Sequence, residues 1–216
     1  LENSVSILGA SEFKIAITSD QDCGQIIVRL CDVSPSGSSK RISYGVLNLA
    51  MRNGLDCPKL VVAGEVMNVS IKLDDSGYQI PVGHRLRLAV SSAYFPLLWP
   101  APKKAKLTLD LASSCLTIPC HDRSATLLRD LGQGYVCPVK KTKKIRPEKH
   151  DRVIQTDARD GLVTTKINDD FGEFTFLEHN LTVGESCNET HSILPDDPYS
   201  ASSECCWHSH QSRPGW

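Results

Sequence analysis

The stretches YGVLNL at positions 44–49 and PVGHRLRL at positions 81–88 decide the fold class of this chain. In the second stretch, Leu86 and Leu88 alternate with Arg85 and Arg87. Successive side chains of a β-strand point to opposite faces of its sheet, so one face is buried and the other solvated. We therefore expect a strand that begins after a turn, with the leucines and Val90 in the core and the arginines outside.

The same period of two recurs along the chain, at 13–18, 26–30, 67–73, 106–111, 163–167 and 174–177. Turn-forming residues are concentrated at 34–37, 53–54, 74–77 and 169–172;. Many short strands between turns, with little helical period, predict an all-β fold, either a sandwich or a barrel. The one candidate helix covers 124–131, where Leu127, Leu128 and Leu131 have helical spacing.

The chain has 216 residues, of which 40% are hydrophobic, so it is long enough for one domain with an ordinary core;. Residues 1–120 are dense in predicted strands, whereas 121–152 are polar and include the run KKTKKIR at 140–146. We interpret 121–152 as an insert within a single domain of residues 1–216. A lysine run also suits nuclear import or nucleic-acid contact, but no aromatic residues are interleaved with it, which favours a solvated loop.

The charge and the termini restrict the partners of the chain. A net charge of −1 gives no overall attraction to nucleic acid or to an anionic membrane, and the longest apolar run is far shorter than a membrane span;. We expect neither partner, and leave homo-oligomerisation open. The first residues, LENS, lack an initiator Met, so we expect a fragment, and no signal peptide is visible in them;. A cytoplasmic location is favoured over secretion, although sequons at Asn68, Asn180 and Asn188 keep secretion open;.

The nine cysteines form no C-x-x-C motif and no Cys/His cluster with the spacing of zinc ligands, so we predict no metal site and no cofactor;. Cys23, Cys31 and Cys115 are expected to be small buried hydrophobes in strands. Disulfides are the alternative, although the adjacent Cys205 and Cys206 are poorly placed to pair with each other.

No catalytic group can be assembled from the sequence. A serine hydrolase of the usual type needs G-x-S-x-G, and the nearest stretch, GASEF at 9–13, lacks the closing glycine;. His84 precedes a strand and is expected to pack or to form a hydrogen bond, and Asp196-Asp197 is expected to form a turn. DFG at 170–172 matches the kinase triplet without the other kinase motifs, so we predict a hairpin turn there. No catalytic, cofactor-binding or metal-binding residue is predicted.

The order of short motifs nevertheless resembles a known family: the C-terminal β domain of CocE/NonD (cocaine-esterase-like) and X-prolyl dipeptidyl-peptidase serine hydrolases. The resemblance covers nearly the whole chain except the lysine-rich insert, and its first 110 residues are the most specific part. The matching segments are 28–37, 41–49, 81–88, SSAYFP at 91–96, Trp99-Pro100 and DDPYSA at 196–201.

This resemblance implies a jelly-roll β-sandwich of the galactose-binding-like type. In the family, the β domain packs against a preceding α/β-hydrolase domain, which holds the serine, aspartate and histidine of the triad. It supports the active-site region and helps to shape the acyl pocket, and members cleave esters, amides or dipeptides ending in proline. The present sequence begins about where the β domain begins and ends before the strands with which relatives continue. We therefore expect truncation at both ends, with the hydrolase domain missing from this chain.

Two further hypotheses follow from the sequence. Jelly rolls also serve as free-standing carbohydrate- or protein-binding modules, and Trp99, Trp207 and Trp216 are the tryptophans available for a sugar site;. The chain is also compatible with a truncated gene model that has no independent function.

Overall fold

The computed structural model describes residues 1–121 and 132–215, so the helix expected at 124–131 lies outside the described residues. The chain divides into two compact units, Leu1–Leu128 and Arg129–Trp216, and each is described by itself. Nearly every element of the described residues is an antiparallel β-strand, which confirms the predicted all-β class. The galactose-binding-like topology and the grouping of both units in one domain stay predictions.

The first unit consists of two three-stranded sheets, with strand orders β4-β1-β6 and β3-β2-β5. Both sheets contribute apolar side chains to one core, as in a β-sandwich;. The elements are β1 (Val5–Ser19), β2 (Gln25–Val33), β3 (Ser39–Asn48), the 3-10 turn Leu49–Met51, β4 (Met67–Ile80), β5 (Arg85–Ser91) and β6 (Leu107–Thr117).

The core follows the predicted alternation of apolar residues. Leu86, Leu88 and Val90 of β5 pack against the buried cluster, while Arg85 and Arg87 on the same strand are exposed. A fully buried side chain of this type contributes about 1.5–3 kcal/mol relative to an exposed one. The fully or largely buried members of the cluster include Phe13, Ile15 and Ile17 of β1, Ile26, Val28 and Leu30 of β2, and Met67, Val69, Ile71 and Leu73 of β4.

Strand β6 departs from the alternation at Leu111, which is 72% exposed. The ladder between β1 and β6 passes from the pair Ala16–Asp110 directly to the pair Lys14–Cys115. Residues 111–114 therefore bulge out of the sheet, and the backbone N–H of Ala16 donates to Ser113 Oγ at 3.3 Å. A bulge of this kind turns the following side chains away from the faces that strict alternation would give them.

The turn predicted at 34–37 is confirmed, because these residues connect β2 and β3 and the N–H of Gly37 donates to the carbonyl of Ser34. The turn predicted at 74–77 is wrong, since these residues lie inside β4 and Gly77 pairs with Leu8 of β1. Strand β4 ends the order of its sheet, so its polar side chains stay in water while its backbone groups bond to β1;.

The second unit is one antiparallel sheet of order β11-β10-β9-β7, in which β8 also pairs with β9. Strands β7 and β8 share one edge of β9, opposite 173–176 and 163–170 respectively. The elements are β7 (Thr142–Arg146), β8 (Lys149–Thr156), β9 (Val163–Phe176), β10 (Leu181–Leu194) and β11 (Asp197–Ser212).

Two predictions for this region are wrong. The lysine run is not entirely a solvated loop, because Thr142–Arg146 pairs with β9 while its lysine side chains remain exposed. The DFG stretch is not a hairpin turn but part of β9, in which Gly172 has a φ of +80°. In the ladder with β10 the pairing passes from Asp170 directly to Glu173, so β9 bulges at 171–172. This bulge lies beside the junction of β7 and β8, where Arg146 of β7 forms an ion pair with Asp170.

The cysteines follow the prediction only in part. Cys31 is buried in β2 as expected, but Cys23 is half-buried and precedes that strand, and Cys115 is exposed on β6. The prediction is therefore wrong for Cys23 and Cys115. All nine cysteines lie in the described residues as free thiols.

Candidate functional site

Strand β2 is buried on both of its faces, which is unusual for the outer layer of a sandwich. Ile26, Val28 and Leu30 face the core, but Ile27 and Val33, which point the other way, are equally inaccessible. An outer face of an antiparallel sheet is normally solvated. A further layer must therefore cover β2 from outside.

That layer is the chain segment that follows β5, residues 92–100, which we call the strap. The side-chain amide of Gln25 at the start of β2 donates to the carbonyl of Trp99 at 3.1 Å. The guanidinium of Arg29, in the middle of β2, lies 4.8 Å from the centre of the Tyr94 ring. The strap thus lies along the outer face of β2 from Gln25 to Arg29, the stretch that contains Ile27.

The strap is also joined to β3. Arg41 Nη1 donates to the hydroxyl of Tyr94 at 2.7 Å, and the same guanidinium lies 4.8 Å from the centre of the Tyr44 ring. The rings of Tyr44 and Tyr94 meet edge to face at 6.4 Å. A cation–π contact contributes about 0.5–2 kcal/mol, more where it is shielded from water. The SSAYFP and YGVLNL stretches of the sequence are therefore one contact region in space.

Part of this region stays open to solvent and is apolar. Leu97 is 54% exposed and Trp99 is 55% exposed, and Val46 is exposed beside Tyr44 on the outer side of β3. The Trp99 ring is held by an edge-to-face contact with Phe95 at 5.9 Å. We call Val46, Leu97 and Trp99 the strap surface. Exposed apolar groups on an ordered support can form a contact surface for a protein or a ligand.

An open groove with a volume of about 590 Å³ adjoins the base of the strap. It is lined by apolar side chains, including Val90, Leu107 and Leu109, and by polar ones, including Ser91 and Ser92. The described lining contains no histidine, so neither serine has there the imidazole base that usually activates a serine nucleophile;. The groove can accept an apolar group.

His84 takes the hydrogen-bonding role predicted for it. Its Nδ1 lies 2.8 Å from Asp32 Oδ1, and the hydroxyl of Tyr78 donates to Asp32 Oδ2 at 2.9 Å. Asp32 belongs to β2 and Tyr78 to β4, so the cluster connects the two sheets. The pair thus joins β2 to the start of β5, and no serine hydroxyl among the described residues is hydrogen-bonded to His84.

The cluster holds the Asp32 carboxylate in its charged form. Burial opposes ionisation and acts to raise the pKa, but the hydrogen bonds from His84 and Tyr78 together outweigh it and leave the pKa of Asp32 below its ordinary value. The same contact raises the pKa of Tyr78, because the neighbouring carboxylate disfavours the phenolate;.

We expect Asp32→Asn to remove the pH-dependent contribution that the Asp32 carboxylate makes to the free energy of unfolding. Because the folded pKa of Asp32 is depressed, its contribution is complete above the ordinary aspartate pKa, about 4, and is lost as pH falls toward the folded value. The urea midpoints of the two proteins should therefore differ most above pH 4 or so and approach each other in more acid solution. A difference that stays constant down to the lowest pH would contradict this assignment.

Asp196 and Asp197 do not form a pair of catalytic carboxylates. Asp196 lies in the turn between β10 and β11, and Asp197 Oδ1 accepts from the N–H of Tyr199 at 3.0 Å. This confirms the predicted turn.

Among the described residues, no helix is long and apolar enough to cross a membrane.

Comparison with known proteins identifies the first unit and the region just after it. Residues 1–154 match the family described as the X-Pro dipeptidyl-peptidase C-terminal non-catalytic domain. The Xaa-Pro dipeptidyl-peptidase of Streptococcus pneumoniae serotype 19F (strain G54) is 32% identical over 106 residues. That alignment covers 49% of this chain but 14% of the pneumococcal protein, so the chain spans a small part of the length of this relative.

Two solved structures share the fold over 56% of this chain. One is an α-amino acid ester hydrolase, with a TM-score of 0.53 and 19% identity, and the shared part is 24% of that chain. The other is an aminopeptidase from the marine sediment archaeon Thaumarchaeota archaeon, with a TM-score of 0.53, 17% identity and the same share of its chain. The resemblance stated from the sequence motifs is thereby confirmed for the segments within residues 1–154, whereas the segment at 196–201 lies outside the match. This chain belongs to the family of X-Pro dipeptidyl-peptidase C-terminal non-catalytic domains.

Proposed function

We propose that this chain is the supporting β domain of a serine hydrolase of the X-Pro dipeptidyl-peptidase type. The strap surface is where the α/β-hydrolase catalytic domain of the same polypeptide docks. The observation that carries the proposal is the match of residues 1–154 to the non-catalytic domain of that family. The small share of the pneumococcal relative that this chain covers supports a catalytic region encoded elsewhere in the same protein.

The strap supports the choice of this surface. It presents Leu97 and Trp99 to solvent on a segment that is fixed from beneath by Gln25 and by the Tyr94 contacts. A rigid apolar surface loses little conformational entropy on docking.

In this account the two domains divide the chemistry. The catalytic domain supplies a serine that attacks the acyl carbon, a histidine that takes its proton and a carboxylate that orients the histidine, with an acyl-enzyme as intermediate. The present chain transfers no proton and forms no covalent bond. Its strap and groove provide an apolar wall that excludes water and fixes the position of the neighbouring domain.

The docking surface can be tested in the longer polypeptide, using the in-frame coding sequence upstream of Leu1. We expect a G-x-S-x-G motif there, and we expect Leu97→Glu to lower hydrolase activity by about 10-fold or more, because a carboxylate buried at an apolar interface is costly. Leu111→Glu is the matched control, since Leu111 is also exposed but lies in the bulge of β6.

Both variants should leave the stability of the isolated 216-residue chain within about 0.5 kcal/mol of the wild type, as for ordinary surface substitutions. Equal effects of the two substitutions on activity would contradict docking at the strap. A dimer of the isolated chain that Leu97→Glu dissociates would assign the surface to a second copy instead.

A free-standing binding module remains the second candidate. The observation in its favour is that Trp99 and Trp207 each expose more than half of their surface, as aromatic platforms for sugars do. Saccharide binding that is lost in Trp99→Ala or Trp207→Ala would favour it over the supporting role.

A further inference from the structure

The ladder between β10 and β11 brings three metal-ligating side chains to one face of the second unit. Glu189 pairs directly with Cys205, and Cys187 lies two residues before Glu189 on the same strand. Side chains two residues apart on a strand share a face, and those of directly paired residues do as well. Cys187, Glu189 and Cys205 therefore project together, whereas Cys206 projects from the opposite face.

Two of the three separations between these atoms match the edges of a tetrahedral zinc site. The two sulfur atoms lie 3.6 Å apart, Cys187 Sγ lies 3.8 Å from Glu189 Oε1, and the ligand atoms of all three residues lie within 4.8 Å of one another. Zn–S bonds of about 2.3 Å and a Zn–O bond of about 2.0–2.2 Å give edges of about 3.8 Å between sulfurs and about 3.6 Å between sulfur and oxygen. One ion fits among the three groups without a change of strand register.

The carboxylate is oriented by two further residues. His191 Nε2 lies 2.9 Å from Glu189 Oε2, and His191 Nδ1 lies 2.9 Å from the hydroxyl of Ser203 on β11. The Oε2 atom is thus engaged by the histidine while Oε1 faces Cys187. Polar groups that hold a ligand in this way are typical of metal sites, where they fix the direction of the ligand atom.

A divalent ion among the three groups would stabilise the charged form of each one, because a thiol that coordinates a metal ion loses its proton and the ion neutralises the carboxylate. Cys187 is buried and Cys205 is exposed, so the inner ligand is fixed and an ion has a path from solvent.

We propose that Cys187, Glu189 and Cys205 form a zinc(II) site, with the fourth coordination position open to water. Two thiolates and one carboxylate suit zinc, whereas calcium and magnesium require oxygen ligands. The site lies outside residues 1–154, which match the family, and is independent of the function proposed above. The competing use of the same atoms is a Cys187–Cys205 disulfide.

The test uses the complete 216-residue chain, reduced and freed of metal by a chelator. Zinc titrated against a chromophoric chelator should bind at one ion per chain. Cobalt(II) should give a thiolate-to-metal absorption band in the near ultraviolet and the intense visible bands of tetrahedral cobalt. Cys205→Ser should weaken zinc binding by about 100-fold or more and abolish the thiolate band, and His191→Gln should weaken it by about 10-fold, as for residues that orient a ligand.

Cys206→Ser is the matched control, because Cys206 is the next residue along the strand but lies on the other face, with its sulfur 3.2 Å from His208 Nε2. It should bind zinc as the wild type does, and circular dichroism should show the same β spectrum for all variants. Three results would overturn the proposal: no zinc uptake by the reduced chain, equal affinity in Cys205→Ser, or loss of binding in Cys206→Ser. A Cys187–Cys205 disulfide in the protein from cells, with no zinc uptake after reduction, would assign the pair to redox chemistry instead.

Discussion

Gly45→Ala is expected to lower the free energy of unfolding of the first unit by about 3 kcal/mol, at the upper end of the range for overpacked cores. A Cβ at position 45 would lie 2.5 Å from the carbonyl oxygen of Lys72 and 3.1 Å from the Cα of Leu73. Both are backbone atoms of β4, which belongs to the opposite sheet. No side-chain rotation can relieve this contact, so β3 and β4 must separate and weaken the core between them.

Gly77→Ala is the matched control in the same unit. A Cβ there would meet only the end of the Leu8 side chain, at 3.9 Å, which is an ordinary contact. We expect a change of less than about 1 kcal/mol, because alanine also restricts the unfolded chain. Urea denaturation followed by circular dichroism, with hydrogen exchange to identify residues 1–128, measures both variants. Equal effects at positions 45 and 77 would contradict the close approach of the two sheets.

Gly172→Ala should destabilise the second unit by a similar amount, for two additive reasons. The φ of +80° at this position costs an L-residue about 1–2 kcal/mol;. In addition, a Cβ would lie 2.8 Å from the carbonyl oxygen of Arg146 and 3.0 Å from the backbone nitrogen of Glu148. The chain that passes from β7 to β8 runs against this glycine, so a side chain must push both strands away from β9.

Gly161→Ala separates the two causes. Gly161 has nearly the same φ, +78°, but a Cβ there would meet nothing within 4 Å. It should show the conformational cost alone, so Gly172→Ala should be worse by about 2 kcal/mol, a typical cost of overpacking. Urea denaturation with hydrogen exchange of residues 129–216 gives the comparison. If the two alanine variants have the same free energy of unfolding, the close contacts at Gly172 do not destabilise the unit.

The strands were predictable where the sequence alternates strictly, and less so where polar residues occur inside a strand. Asp74 to Gly77 and Asp169 to Gly172 have the composition of turns, yet both segments pair along long strands. The amino-acid composition of a segment indicates whether its side chains favour water. Whether the segment pairs as a strand depends instead on which neighbouring strand lies beside its backbone in the fold. On an edge strand or at a bulge, polar side chains remain solvated while the backbone still forms its ladder.

The strap could be identified from the sequence as a motif but not as a structure. SSAYFP and YGVLNL are more than forty residues apart in the chain, and the Tyr44–Tyr94 and Arg41–Tyr94 contacts depend on the return of the chain across β2. The cluster of Cys187, Glu189 and Cys205 could likewise not be identified from the sequence alone. Cys187 and Glu189 share a face by their spacing alone, but Cys205 joins them only through the register of β10 and β11.

Hydrolase chemistry is expected in a domain outside this chain, and fluorophosphonate labelling tests that expectation most directly. These probes phosphonylate an activated serine and leave ordinary serine hydroxyls unmodified, because only the activated oxygen is sufficiently nucleophilic. The purified 216-residue chain, incubated beside an active serine hydrolase as a positive control, should remain unlabelled by intact mass spectrometry. Stoichiometric labelling of one serine within residues 1–216 would contradict the supporting role and place a catalytic centre in this chain.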